Sequence, residues 1–168
     1  IAQMYCGNTD LGNIRFFRSS EYDNQWRWIL YDTDLGFQGG RLTSVWDYIN
    51  PDGMGANHAI STALIRSLLT NDRFRQLFAE RLEHAMKTTW STERVLARID
   101  AYYQLWKPEA ARNAARWEHS TDWETNVEGL RYFARRRQRV LKEEFASPRV
   151  SAVFRLTQEQ LDRCFGGL

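Results

Sequence analysis

Two short acidic segments near the start of the chain carry the residue types that point most directly to chemistry. They are CGNTDLGN, residues 6–13, and YDTDLGFQGG, residues 31–40. Carboxylate and amide oxygens are hard ligands that suit Mg²⁺ or Mn²⁺, particularly where phosphate groups supply the remaining ligands. Because Asn, Asp and Gly are also ordinary turn residues, two loops with a purely structural role are the alternative. The candidate side chains are Asn8, Asp10, Asn13, Asp32 and Asp34.

A β-hairpin is predicted between these segments. IRFFR, residues 14–18, and WRWILY, residues 26–31, are short and rich in aromatic and β-branched residues, and the SSEYDNQ between them has turn chemistry. Because hairpin strands run antiparallel about 4.8 Å apart, the loop before the first strand and the loop after the second lie at the same end. We therefore expect three carboxylates and an amide to converge there, from Asp10, Asp32, Asp34 and Asn13.

The chain beyond the hairpin is predicted to be helical. Residues 41–57 are an irregular connection, after which the hydrophobic period changes from 2 to 3.6. Asp72 and Ser91 are predicted to cap the second and third helices at their N-termini. The third apolar stripe, Val95–Trp106, favours core packing over a platform on which a sugar could stack. The stripes are Ile60, Leu64 and Leu68; then Phe74, Leu77, Phe78 and Leu82; then Val95, Leu96, Ile99, Tyr102, Tyr103 and Trp106.

Prolines mark the remaining predicted boundaries. Pro108 is expected to open a short additional helix, because proline suits the first helical turn. A long final helix is predicted from Trp123 to Phe145, and Pro148 stops it. The tail after Pro148 is predicted to form a short strand and one helical turn. The pattern as a whole predicts an α+β fold that is mostly α-helical.

Composition narrows the function classes. The chain has 168 residues with 43% hydrophobic residues, which suits one globular domain, and no apolar run reaches the length of a membrane helix. The net charge of +2 does not imply nucleic-acid binding. The arginine run 131–139 favours a solvated helix face with nearby glutamates, and a nucleic-acid-binding helical domain is the alternative. Cys6 and Cys164 could form a disulfide or remain free thiols.

The order of the acidic residues is that of a protein kinase. Kinases place a catalytic Asp, a metal-binding Asn, a β-hairpin and then a metal-binding Asp at the end of a strand. Here the order is Asp10, Asn13, the hairpin and Asp32. GNTDLGNIRFFR followed by WRWILYDTDLGF resembles the CotH kinase family, atypical kinases first known from spore coats. LIRSLLTNDRFRQLF and GLRYFARRRQRVLKEEF look like the helical part of that family, so the resemblance covers about residues 1–146.

The resemblance implies ATP-dependent phosphorylation of Ser or Thr on a protein substrate, with Mg²⁺ or Mn²⁺. It implies a kinase-like C-lobe over residues 1–146 and a C-terminal extension over residues 147–168. The family pattern makes Asp10 the catalytic aspartate, with Asn8 ordering its loop, and makes Asn13 a ligand of metal and nucleotide. Asp32, which directly follows the strand, is favoured as the metal aspartate. Asp34 is its alternative, because Asp34-Leu35-Gly36 spells a DFG-like triplet.

The kinase interpretation also implies a missing part. The first lysine is Lys87, whereas kinases carry the nucleotide-gripping Lys on an N-lobe that precedes the catalytic loop. We therefore expect the chain to be cut from a longer protein, to need that protein's N-lobe as a partner, and to be inactive alone. The alternative function is a non-catalytic structural or binding module of a cell envelope or coat. Known family members suggest an extracellular or cell-envelope location, with a cytoplasmic one as the alternative.

Overall fold

The fold is a two-stranded hairpin followed by a helical body. The computed structural model describes residues 1–13, 15–38, 45–54, 58–117 and 122–166. Ile14 and parts of the predicted connection, residues 41–44 and 55–57, lie outside the described residues. The described elements confirm a mostly helical α+β fold with a small antiparallel sheet. They are α1 (Ala2–Cys6), β1 (Arg15–Phe17), β2 (Arg27–Ile29), a 3₁₀ turn (Val45–Tyr48), α2 (Ala59–Leu68), α3 (Asp72–Lys87), α4 (Thr92–Trp117), α5 (Trp123–Ala146), α6 (Pro148–Phe154) and α7 (Gln158–Phe165).

The predicted hairpin is present, with strands shorter than predicted. Phe16 of β1 lies opposite Trp28 of β2, and the strands run antiparallel. Every strand residue is exposed on both faces of the sheet, and Trp28 keeps 53% of its surface open to solvent. The hairpin therefore presents aromatic side chains to solvent on both of its faces.

Polar side chains cap the N-termini of α3 and α4, but the cap of α3 is not the residue that the sequence predicted. The N-cap of α3 is Asn71, whose Oδ1 accepts a hydrogen bond from Phe74 N at 3.1 Å. The predicted cap, Asp72, is instead the first helical residue. Ser91 Oγ accepts a hydrogen bond from Arg94 N at 3.3 Å, as its predicted capping role requires.

The predictions of a separate helix at Pro108 and of a strand in the tail were wrong, whereas α5 ends at Ala146, before Pro148, as predicted. Pro108 opens no separate helix, because α4 runs through it from Thr92 to Trp117. The carbonyl that loses a partner there belongs to Gln104, which is exposed, so water can hydrate it. The described part of the tail, residues 147–166, contains no strand. Pro148 opens α6, and Val150 and Phe154 are buried at helical spacing.

The core surrounds α5, which packs against α4, α6, α7 and the 3₁₀ turn. Phe154 is central to it, with its ring centroid 5.0 Å from those of both Phe78 and Phe145. Cys6 and Cys164 are free and buried. Burial raises the pKa of each thiol to about 11, so both remain protonated at neutral pH.

One member of the arginine run has a role that the sequence did not predict. Arg137 has 0% of its surface exposed. Its Nε donates a hydrogen bond to Tyr5 O at 2.7 Å, and its Nη2 donates to Met4 O. Its Nη1 lies 3.8 Å from Glu144 Oε2, and Glu144 Oε1 accepts a hydrogen bond from Val45 N at 3.0 Å. The solvated interpretation of the run is therefore wrong at Arg137, which fastens α1 to α5.

Replacing Arg137 should destabilise the protein. Arg137→Gln is expected to lower the free energy of unfolding by about 3–5 kcal/mol, because it removes one side of a buried charge pair. Urea unfolding followed by tryptophan fluorescence measures the change. The control is Arg139→Gln on the same helix, where Arg139 is exposed and 3.8 Å from Glu143, and a change within about 0.5 kcal/mol is expected. Equal losses in the two variants would contradict the role given to Arg137.

Candidate active site

The hairpin brings the two acidic segments together through one amide. Asn13 Nδ2 donates a hydrogen bond to Asp10 Oδ2 at 2.8 Å and another to Asp32 Oδ2 at 2.7 Å. Asn13 lies two residues before β1 and Asp32 three residues after β2, so the strand register places them at the same end of the sheet. One amide group therefore bridges two carboxylates from loops that are 22 residues apart, between Asp10 and Asp32.

Asn8 also connects the two acidic segments, through hydrogen bonds to the backbone of each. Its side chain is fully buried, and its Nδ2 donates to Asp32 O at 3.0 Å and to Gln3 Oε1 at 2.9 Å. Its Oδ1 accepts a hydrogen bond from Asp10 N at 3.2 Å. Asn8 thus contacts the backbone of both aspartates and holds their spacing.

Asp32 has an unfavourable backbone conformation and an unfavourable electrostatic environment. Its φ is +49°, in the left-handed region that Asp tolerates better than most residues. A hydrogen bond shared with the Asp34 carboxyl raises the pKa of Asp32, and desolvation and the charges of Asp34 and Asp10 raise it further. The positive charge of Arg15 acts in the opposite direction. The neighbouring carboxylates therefore disfavour the charged form of Asp32.

Close backbone contacts support the second loop. Phe37 N donates a hydrogen bond to Cys6 O at 2.7 Å. A Cβ on Gly36 would lie 3.0 Å from Thr33 O and 3.1 Å from Cys6 Cβ, so glycine permits this approach. The DLG triplet consequently packs against the end of α1.

Tyr48 and Tyr5, which the sequence did not indicate as site residues, also support the acidic loops. Tyr48 Oη lies 2.7 Å from Gln3 O and 2.5 Å from Asn8 O. The Tyr5 ring stacks on Trp90 at 4.5 Å, and both Tyr5 and Phe37 contact the Phe133 ring. The sequence placed Tyr48 in the predicted irregular connection, and it gave no contact partner for either tyrosine.

The donor set fits a magnesium-type ion that is shared with phosphate. Within the described parts of the chain, no three His, Cys, Asp or Glu side chains are close enough to hold a metal by themselves. Mg²⁺ commonly uses only one or two carboxylates together with water and substrate phosphates. The Asp32–Asp34 pair, with Asn13 beside it, has that composition.

Comparison with models of known protein families identifies the family of the chain. The sequence matches the family described as CotH kinase protein over residues 1–141. The chain belongs to the CotH kinase family. This membership makes the chain kinase-like. No curated protein and no solved structure matches the chain. None of the described helices has the length and hydropathy of a membrane span.

The carboxylate pair can be tested by titration. Asp34→Asn is expected to lower the pKa of Asp32, because it removes the carboxyl that shares a hydrogen bond with it. The raised pKa of Asp32 means that the folded state holds this proton more tightly than the unfolded state. Its deprotonation therefore costs stability as the pH rises above the ordinary value of 3.8. The stability of Asp34→Asn relative to the unmodified protein should accordingly rise with pH.

Carboxyl NMR of Asp32 and urea unfolding across the acidic range measure these two effects. Asp52→Asn removes an exposed carboxylate outside the candidate active site and should leave the pKa of Asp32 unchanged. An Asp32 pKa that is the same with and without the Asp34 carboxylate would show that the two groups do not interact.

Proposed function

We propose that this chain supplies the catalytic and metal-binding half of a protein kinase that transfers the ATP γ-phosphate to Ser or Thr of a protein substrate. The observation that carries the proposal is the Asn13 bridge between Asp10 and Asp32, in a chain that belongs to the CotH kinase family. Kinases require these three residue types, in this order, at one end of a hairpin.

Asp10 is the proposed catalytic aspartate. It is half-buried and receives hydrogen bonds at its carboxylate from Asn13 and at its backbone N–H from Asn8. These contacts orient the carboxylate, which leaves its other oxygen to accept the proton of a substrate hydroxyl. Asn8 is the proposed positioning residue, because it contacts both loops and is itself buried.

Asp32, with Asp34 and Asn13, is the proposed ligand set for Mg²⁺ or Mn²⁺ and its nucleotide. When bound, the ion would neutralise charge on the phosphates of ATP. The pKa of Asp32 is raised first by its hydrogen bond with the Asp34 carboxyl and by desolvation, and then by the charges of Asp34 and Asp10. A cation would relieve this last, repulsive part. Because only Thr33 separates Asp32 from Asp34, both registers of the DFG-like triplet place a carboxylate in this loop. Asp32 is preferred for its contact with Asn13.

We further propose that an N-lobe of the same protein covers the hairpin. Phe16, Trp26 and Trp28 are all more than half exposed. Contiguous exposed apolar surface of this kind marks an interaction site. The given sequence has no lysine before Lys87. An N-lobe bound to the hairpin would supply the lysine that contacts the nucleotide phosphates in kinases. The extracellular or cell-envelope location stays a prediction.

Calorimetric titration of Mn²⁺ with ATP tests the metal role, in the protein with its natural flanking sequence. Asp32→Asn is expected to weaken binding by about tenfold or more, which corresponds to about 1.4 kcal/mol. Asparagine also tolerates the left-handed backbone, so this variant isolates the charge.

Phosphoryl transfer tests the role of Asp10 separately. With casein as the acceptor, Asp10→Asn should retain metal–nucleotide binding and reduce transfer by roughly 10²–10⁴-fold, the usual contribution of a general base. Asp52→Asn is the matched control for both measurements and should behave as the unmodified protein does. Absence of metal–nucleotide binding in the unmodified protein would overturn the kinase proposal and favour a structural or binding module.

A further inference from the structure

A second feature lies between α4 and α5, apart from the acidic loops. An open cavity of about 520 Å³ runs along these helices, within the size range of sites that bind small ligands or single side chains. Its walls are mainly aromatic, from Phe37, Trp90, Tyr102, Tyr103, Trp106 and Trp123. The cavity is therefore a flat-walled, apolar cleft.

The aromatic walls are open to solvent, although the sequence pattern favoured core packing. Tyr102 and Trp106 each keep 57% of their surface exposed, so the core prediction was wrong for these two residues. Tyr103 is half-buried and stacks on Trp123 with an interplanar angle of 19°. A hydrogen bond of 2.8 Å from Tyr103 Oη to Glu124 Oε1 fixes the ring. The cleft thus combines a fixed aromatic wall with an open one.

Among the described residues that line the cavity, two arginines supply the charge. Arg94 and Arg98 lie one turn apart on α4, and both are exposed. Neither has an ion-pair partner in the described ranges, whereas Arg131 nearby binds Asp100 and Glu128. Among the residues that the structure describes, no carboxylate lines the cavity. The complementary ligand therefore has negative charge beside an apolar group.

We propose that this cleft binds an acidic peptide segment of a partner protein, which inserts an aromatic or leucine side chain between the rings and pairs its carboxylates with Arg94 and Arg98. Aromatic walls bury large apolar area and arginines bind carboxylates bidentately, which are the usual sources of affinity at such sites. Phe37 links the cleft to the DLG triplet, one residue beyond Gly36. The inference goes beyond phosphoryl transfer and does not depend on it.

The test measures binding of a fluorescein-labelled peptide by anisotropy. The peptide has glutamates around a central phenylalanine and leucine, and two comparison peptides replace either the glutamates with glutamine or the apolar pair with alanine. The acidic apolar peptide is expected to bind most tightly, at least about tenfold better than either comparison, and to weaken with added salt.

Protein variants place the binding site. Arg94→Gln combined with Arg98→Gln, and separately Trp106→Ala, should each weaken binding by about tenfold or more. The matched control combines Arg73→Gln with Arg81→Gln, two exposed arginines of α3 outside the cavity, and should bind as the unmodified protein does. Because Trp106 is largely exposed, its replacement should leave the circular dichroism spectrum unchanged. Failure of the acidic peptide to bind, equal binding of the glutamine peptide, or an equal loss in the α3 control would overturn the proposal.

Discussion

The buried charge of Arg137 is the constraint on which the candidate site depends. A guanidinium removed from water must find acceptors, and Arg137 finds them in the carbonyls of Met4 and Tyr5 and in Glu144. Glu144 in turn holds the first residue of the 3₁₀ turn through Val45 N. One side chain of α5 therefore anchors both α1, which leads into the Asp10 loop, and the turn whose Tyr48 contacts that loop. Burial lowers the pKa of Arg137, while Glu144 acts to raise it, so the pairing is what keeps this cation acceptable in the core.

Arg137 is a buried cation paired with an opposite charge. The acidic loops differ, because they hold like charges close together at the surface. Asp32 has a left-handed backbone, a raised pKa and a neighbouring carboxylate, all of which oppose folding of that loop alone. The buried amide of Asn8 and the bridging amide of Asn13 offset part of this cost. Such locally unfavourable arrangements persist where the surrounding structure determines them, and they cluster at functional sites. A cation between the carboxylates would turn the repulsion into attraction.

Aromatic packing connects the acidic loops to the cleft between α4 and α5. Phe37 follows the DLG triplet, and its ring lies 5.1 Å from Phe133 and 6.2 Å from Tyr5. Tyr5 stacks on Trp90, which lies on the cavity wall with Phe37. The rings thus form one contiguous cluster from the end of α1 to the cleft.

The hairpin, most of the helices and the family could be predicted from the sequence, because alternation, helical periodicity and the order of Asp10, Asn13 and Asp32 are local patterns. One error came from judging a helix boundary by a single residue, since α4 continues past Pro108. The other was the strand predicted in the tail, where the spacing of Val150 and Phe154 suits the helix α6. Burial of Arg137 and exposure of Trp106 were decided by tertiary structure, since an arginine run and an aromatic stripe look the same whether they face core or solvent. By itself the sequence determined which groups could do chemistry and at which end of a hairpin they lie. Only the tertiary structure decided that one amide bridges Asp10 and Asp32, because a hydrogen bond between distant loops depends on how their supports pack.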